Sequence, residues 1–284
     1  MQIHRNYKFR LYPNKSQIDL LNLHFFLSNQ AWNSTLAQKM TDLKANEHLL
    51  PADRTFKKDA DIEKAMKEEL KARGFKPHSG IVQESFKSMK KSLSSFYSRK
   101  NDGVGFPKFK SKKNPVKSYT TNSVNGNILL KDGKLKLPKA GWIRIRQHRK
   151  IREDVCLKGA SVCLEADGRY YVSLLYFCEE KPVEIRNIRQ AVGLDFSMKE
   201  LYVDSNGKHA GYPHYFRNSE EKLAKAQRKL SHCRKESNRY KKQQKKVARI
   251  HTHIAHQRKD YLHKVSHEII SENQVIVSED LQIK

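Results

Sequence analysis

The chain has 284 residues, with 57 Lys and Arg against 30 Asp and Glu, a formal net charge of +27. So large a basic excess repels itself and favours a polyanionic partner, of which nucleic acid is the commonest. No apolar run of about 18 residues is present, the N-terminus has no apolar signal core, and the four cysteines form no Cys-x-x-Cys pair, which together exclude a membrane-spanning or secreted class and argue against a disulfide framework or a local zinc knuckle.

At roughly 100–200 residues per domain the length suggests two domains. Residues 3–12 alternate, Ile3, Tyr7, Phe9 and Leu11 interleaving with His4, Arg5, Lys8 and Arg10, and Pro13-Asn14 stops the run. This pattern predicts a half-buried strand with a basic outer face. Over residues 15–45 the period changes, and Ile18, Leu21, Phe25, Asn29, Trp32 and Leu36 predict an amphipathic helix. Residues 46–80 are charged and weakly patterned. Ile81, Phe86, Met89, Leu93 and Phe96 predict a second helix over 81–99.

A basic loop follows, Phe106-Pro107-Lys108-Phe109-Lys110-Ser111-Lys112-Lys113. Aromatics interleaved with Lys108, Lys110, Lys112 and Lys113 can stack on bases while the lysines meet phosphates. Phe106 and Phe109 can equally anchor the loop to a core, and the segment around Arg10 has the same two readings. Residues 117–180 carry short strand candidates at Gly126–Lys131, Lys134–Pro138, Trp142–Arg146, Ala160–Glu165 and Tyr170–Tyr176. Asn125-Gly126, Asp132-Gly133 and Asp167-Gly168 are hairpin dipeptides. A small β-barrel or twisted sheet is expected here.

Beyond a linker near 181–189, Ala191–Asp195 is an apolar run ending in an acid. Glu200–Asp204 and Lys208–Tyr212 predict a hairpin around Ser205-Asn206-Gly207. Residues 219–272 read as helical with a break near Ser237-Asn238, and Val247, Ile250, Ile254, Tyr261, Val265 and Ile269 trace the apolar stripe. Gln274–Leu281 is a final apolar strand ending in Glu279 and Asp280.

Asp195 and Glu279 each sit at the carboxyl end of an apolar strand. Three strands, a long helical excursion and a fourth strand is the order of a ribonuclease-H-like nuclease core, in which parallel strands bring their last residues side by side. Two carboxylates so placed can share divalent cations for phosphodiester hydrolysis, and Mg2+, which prefers oxygen ligands, suits them. The competing reading of either acid alone is a strand end meeting solvent. Between the two acids, residues 217–264 hold 16 Lys and Arg and 4 acids, a net +12. Among them are Arg228, Lys229, Arg234, Arg239, Lys241, Lys242, Lys245, Lys246, Arg249 and Arg258. A helix that only needed solubility would mix signs to gain i,i+4 pairs; phosphate contacts with counterion release would offset this repulsion. A solvated basic face is the alternative. The histidines at 251, 253, 256, 263 and 267 carry no metal-ligating pattern.

Several segments resemble TnpB/OrfB proteins of bacterial insertion sequences. They are Tyr7-Lys8-Phe9-Arg10-Leu11-Tyr12-Pro13-Asn14 with Gln17, Leu20 and Leu21; Phe106–Lys112; Gly193-Leu194-Asp195; Lys229-Leu230-Ser231, Asn238-Arg239 and Gln257–Lys264; and Val275–Leu281. The matches run in order along the whole chain. The resemblance implies a Mg2+-dependent, RNA-guided DNA endonuclease related to type V CRISPR effectors, with a guide RNA and double-stranded target DNA as partners and no membrane. It implies a multidomain α+β and α/β chain. Residues 1–13 and 101–182 would form a wedge-like β-barrel, 14–100 an inserted helical recognition region, and 189–284 an incomplete RuvC/RNase-H-like nuclease domain with Asp195 and Glu279 as catalytic metal ligands. The family's four-cysteine zinc ribbon and third catalytic aspartate have no counterpart here, so zinc is not expected. The expectation is a truncated or frameshifted copy, or a partial gene model, that holds Mg2+ weakly or not at all and binds nucleic acid without cutting. A nuclease-dead repressor and a non-functional remnant are the alternatives. A bacterial, cytoplasmic, nucleoid-associated location is expected.

Overall fold

A computed structural model describes residues 2–50, 53–75, 78–98, 104–111, 114, 117–180 and 188–280. Lys112 and Lys113 lie outside the described residues. Two compact units divide the chain, one within Met1–Glu180 and one within Lys181–Lys284.

The first unit opens with strand β1, Gln2–Tyr12, whose alternation buries Phe9 and Leu11 on one face. Pro13 ends it. Asn14 then starts helix α1, Lys15–Ala45, through a reciprocal cap: the Gln17 amide donates to Asn14 Oδ1 (2.9 Å), and the Asn14 amide donates to Gln17 Oε1 (3.0 Å). The buried surface of α1 is wider than one stripe. Leu21 and Phe25 face the sheet core, whereas Leu27 and Ala31 pack against Met66 and Leu70. These last two belong to α2, Asp59–Ala72, a helix the sequence pattern did not single out although Ile62, Met66 and Leu70 recur at i,i+4. Helix α3, Ser79–Tyr97, buries Ile81, Val82, Phe86, Met89 and Leu93 as its period predicts. A buried bond between Ser28 and Ser85 hydroxyls (2.6 Å) ties it to α1.

Seven antiparallel strands complete the unit: β1, β2 (Lys117–Asn122), β3 (Leu129–Lys131), β4 (Lys134–Leu137), β5 (Gly141–Arg146), β6 (Cys156–Leu164) and β7 (Tyr170–Glu179), in the order β2-β6-β7-β1-β5-β4-β3. Among the described residues β2 and β3 do not pair, so of the barrel or twisted sheet expected the structure has the second, a curled sheet. α1 and α3 pack beside β2, and Leu21, Phe25 and Ile81 join the sheet core there; a helical cover replaces closure in protecting that edge. Asp132 (φ 48°) and Gly133 (φ 67°) make the expected tight hairpin of β3 and β4. Asn125 (φ 49°) and Gly126 (φ 67°) turn the chain in the same way, but the strands flanking them lie at opposite edges, so this turn is no hairpin. At Gly159 the β6 backbone shifts register against β7, and a Cβ would stand 2.8 Å from the Thr121 carbonyl oxygen of β2. Only glycine fits that approach.

In the second unit strands β8 (Ala191–Ser197), β9 (Leu201–Asp204) and β10 (Val275–Ser278) form a sheet in the order β10-β8-β9. The pair β8/β9 is antiparallel and the pair β10/β8 parallel. The expected strand at Lys208–Tyr212 reduces to one bridge, Val203 with His209, because Gly211 (φ 61°) and Pro213 turn the chain away. Helices α4 (Glu220–Ser231) and α5 (Asn238–Glu272) form the excursion. The expected break is real: Ser237 Oγ accepts the Tyr240 amide and starts α5 afresh. Leu223, Ala226, Val247, Ile250 and Ile254 make the core between these helices. α5 is tied back toward β9 by Lys208–Glu268 (2.6 Å) and by the Tyr261 hydroxyl donating to the Ala210 carbonyl.

Candidate functional site

The parallel ladder sets Val277 opposite Gly193 and Ser278 opposite Leu194. In a parallel pair neighbouring residues share a face, so Glu279, the next residue on, falls beside Asp195 on the face of Gly193 and Val277. Both carboxylates are exposed. They line one open cleft of about 380 Å³ with Gly193, Val203, Ser205, Val277 and Ser278. The register is held at the strand entrances: the Arg189 amide donates to Gln274 Oε1 (2.6 Å) and the Gln274 amide to the Gln190 carbonyl (3.0 Å). On the other flank Gly193 donates to Ser205 Oγ (3.2 Å), and Ser205 returns its amide to the Gly193 carbonyl (2.9 Å). Asp204 also borders the cleft, but its Oδ1 is engaged by the Asn206 and Lys208 amides (2.9 and 2.7 Å), and it is paired with Leu194, one residue out of step with Asp195. Among the described residues no group of three or more His, Cys, Asp or Glu side chains is gathered as a metal would need. Asp195 and Glu279 border one cleft.

The ten cations singled out between Arg228 and Arg258 all lie exposed in α4, in α5 or in the turn between them. Among the described residues none of the ten forms an ion pair; the pairs of this segment are Arg217–Glu220 and Lys264–Asp260 at its ends. The charge is displayed outward and left uncompensated.

The basic loop divides its residues between two roles. Phe106 packs edge-on against Phe96 (5.3 Å between ring centroids) and joins the Trp32, Met89 and Leu93 cluster. Phe109 is 52% exposed. Asn33 of α1 grips the loop as a strand would: its Nδ2 donates to the Lys110 carbonyl (3.0 Å) and its Oδ1 accepts the Lys110 amide (2.7 Å). Trp32 Nε1 donates to the Lys108 carbonyl (3.1 Å), and Lys110 Nζ lies 4.2 Å from the Trp32 ring. Burial there lowers the Lys110 pKa. Lys108 stays exposed.

Arg10 lies on β1 opposite Arg146, and its guanidinium sits 4.7 Å from the Tyr12 ring. Its buried Nε has no hydrogen-bond partner among the described residues. Sequence reasoning did not single out Arg144 and Arg146, although their alternation with Ile143 and Ile145 was the available signal.

The family model described as "Probable transposase" (OrfB_IS605) matches residues 175–284, and the companion "Helix-turn-helix domain" model matches residues 1–48. The latter segment is here β1 followed by the single helix α1. Two curated relatives share the name "Putative RNA-guided DNA endonuclease". One from Streptomyces pristinaespiralis is 37% identical over 155 residues, and one from Escherichia coli K12, InsQ, is 34% identical over 153. Each alignment covers 54% of this chain but 38% and 37% of the relatives, so the matched part spans less than two-fifths of their length. Among solved structures, the protein of a Cas12f1–sgRNA–target DNA complex matches 99% of this chain and 82% of its own, with a TM-score of 0.51 at 10% identity, a likeness of fold. No helix among the described residues is long and apolar enough to cross a membrane.

Proposed function

From membership of the TnpB/OrfB family, to which this chain belongs, we propose that it is a transposon-encoded protein that binds a guide RNA and double-stranded target DNA. Asp195 and Glu279 are its divalent-cation ligands. The observation that supports this reading is the parallel register, whose last pair, Ser278 with Leu194, comes one residue before each acid, and the cleft that both acids line. Two exposed carboxylates side by side repel each other, and a shared cation offsets that repulsion. The donor set fits Mg2+, which is held by one or two carboxylates and completes its shell with water and substrate phosphates. When bound, the ion supplies charge stabilisation at the phosphoryl oxygens and an activated water. The chain's own residues do the rest. Asp195 and Glu279 would hold the cation, and their carboxylates border the cleft that a phosphodiester would enter. The cations of α4 and α5 hold the strand by its phosphates.

On this reading residues 1–13 and 101–182 are the wedge-like part, 14–100 the recognition helices, and 189–284 a RuvC/RNase-H-like part. The order of two strands, a helical excursion and a parallel returning strand supports the last assignment.

A second reading, binding without cutting, is favoured by one observation: the exposed cations of α4 and α5 can hold nucleic acid by its phosphates with no metal at the cleft. The discriminating experiment incubates the purified chain, with the RNA that co-purifies from cells, with plasmid DNA carrying the matching sequence and Mg2+. Nicking that disappears in Asp195→Ala supports the nuclease reading. Retained binding with no nicking selects the second reading, and absence of any bound RNA contradicts both.

A further inference from the structure

The outer face of the first unit's sheet is built from rows of cations that face one another. Pairing sets Tyr12 of β1, Arg144 of β5, Lys134 of β4 and Lys131 of β3 in one row across four strands. Two residues along lies a second row, Trp142, Lys136 and Leu129. On the opposite side Arg10 faces Arg146. Like charges directly opposite on neighbouring strands are destabilising, and this face has three such pairs: Arg10/Arg146, Arg144/Lys134 and Lys134/Lys131. Asp132 is the single acid between residues 129 and 146, and it is spent in the hairpin turn. The contrast within the same unit is sharp. Lys8 holds Glu165 (2.5 Å), and Arg5 and Arg152 both hold Glu180, whereas Arg10, Arg144 and Arg146 hold no carboxylate among the described residues.

Two aromatic rings lie among the cations and are partly exposed. Trp142 is 44% exposed and Tyr12 40%. Gln17 Nε2 pins the strand under Trp142 by donating to its carbonyl (3.0 Å). Tyr12 is bracketed by the Arg10 and Arg144 guanidinium groups at 4.7 and 5.8 Å from its centroid. Diagonal neighbours on adjacent strands are about 7–8 Å apart, so the two rings offer separate stacking surfaces on one platform. We infer that this face is a seat for an unpaired nucleic-acid strand, its bases stacking on Trp142 and Tyr12 and its phosphates held by Arg144, Arg146 and Lys134. Duplex is disfavoured as occupant because flat ring faces can stack only on bases already unstacked. The inference takes nucleic acid as partner from the proposed function; it needs no divalent ion and no cleavage, so failure of the Asp195/Glu279 site leaves it standing.

The chain has two tryptophans, and Trp32 is buried at 8% exposure, so Trp142 is the reporter. The full chain in EDTA is titrated with an oligo-uridylate of about 15 nucleotides, with the matching deoxy strand, and with a duplex. The expected result is quenching of tryptophan fluorescence by the single strands, lost in Trp142→Phe. Affinity falls by about tenfold in Arg144→Glu and in Arg146→Glu, but by less than about twofold in Lys158→Glu on β6. Trp142→Ala weakens binding and Trp142→Phe restores it. Preference between the ribo and deoxy strands identifies which strand the platform takes. Quenching that survives in Trp142→Phe, arginine reversals no weaker than Lys158→Glu, or duplex binding as tight as single strand would each overturn the inference. Circular dichroism of each variant confirms that it is folded.

Discussion

Val277 stands directly opposite Gly193 in the parallel ladder between β10 and β8, and two residues further along these strands lie Glu279 and Asp195. Strands entering from the same side end on the same side, so residues far apart in sequence meet at one edge. A slip of one residue would turn Glu279 to the opposite face. Gln274, which binds the backbone at both Arg189 and Gln190, opposes that slip.

The helical cations give a prediction in salt. Lys241, Lys242, Lys245 and Lys246 are exposed on α5 and form no ion pair among the described residues. Replacing all four by Gln is expected to weaken nucleic-acid binding and to flatten the slope of log affinity against log salt by about 0.7–0.9 for each phosphate that is no longer neutralised. Titration at several ionic strengths checks this, and a slope equal to that of the unaltered chain would make this a merely solvated face.

The grip of α1 on the basic loop gives a second. Asn33 supplies both of the side-chain bonds that hold the Lys110 backbone. Asn33→Ala is expected to cost about 1–3 kcal/mol of loop docking, and trypsin should then cut after Lys108 and Lys110 roughly five- to a hundredfold faster at neutral pH. A cleavage rate unchanged in Asn33→Ala would mean that Trp32 and Phe106 hold the loop without it.

The legible part of this fold is the part that local chemistry decides. Alternation in residues 3–12, the Asn14 stop, the Asp132-Gly133 turn and the α5 stripe each act within a few residues, and the structure follows them. β2 was hidden because Lys117–Asn122 is polar, with Tyr119 and Thr121 alone turned inward. α2 was hidden by the charge surrounding Ile62, Met66 and Leu70. Sheet order is a matter of distant pairing, so Asn125-Gly126 could promise a turn but could not reveal that β2 and β3 go to opposite edges. Asp195 and Glu279 were legible as acids closing apolar runs, although β8 continues past Asp195 to Ser197; the cation rows of β1, β5, β4 and β3 were not legible, because a row exists only once the strands are paired.

Acid sensitivity follows from His24. It is buried edge-on to Tyr119 (5.1 Å between centroids), with Nδ1 unpartnered. Burial first, then Lys139 and His78, lowers its pKa from 6.5 to about 4. Between these values the unfolded chain binds a proton that the folded chain refuses, so this contribution is complete above about pH 6.5 and is lost as the pH falls toward 4. At about 1.4 kcal/mol per unit it reaches at most ~3 kcal/mol. His78, lowered in the same direction by burial and Lys139, adds to it. Urea unfolding at pH 7 and pH 5 should show the loss in the unaltered chain and a smaller loss in His24→Leu; equal losses would contradict the assignment.

Whether Asp195 and Glu279 together hold a divalent cation is decided by Mn2+ titration of the full chain followed by electron paramagnetic resonance of the free ion. Weak binding is expected, tightened by single-stranded or duplex nucleic acid, with a loss of about tenfold or more in both Asp195→Asn and Glu279→Gln. Mn2+ uptake identical in the unaltered chain and both variants would contradict it.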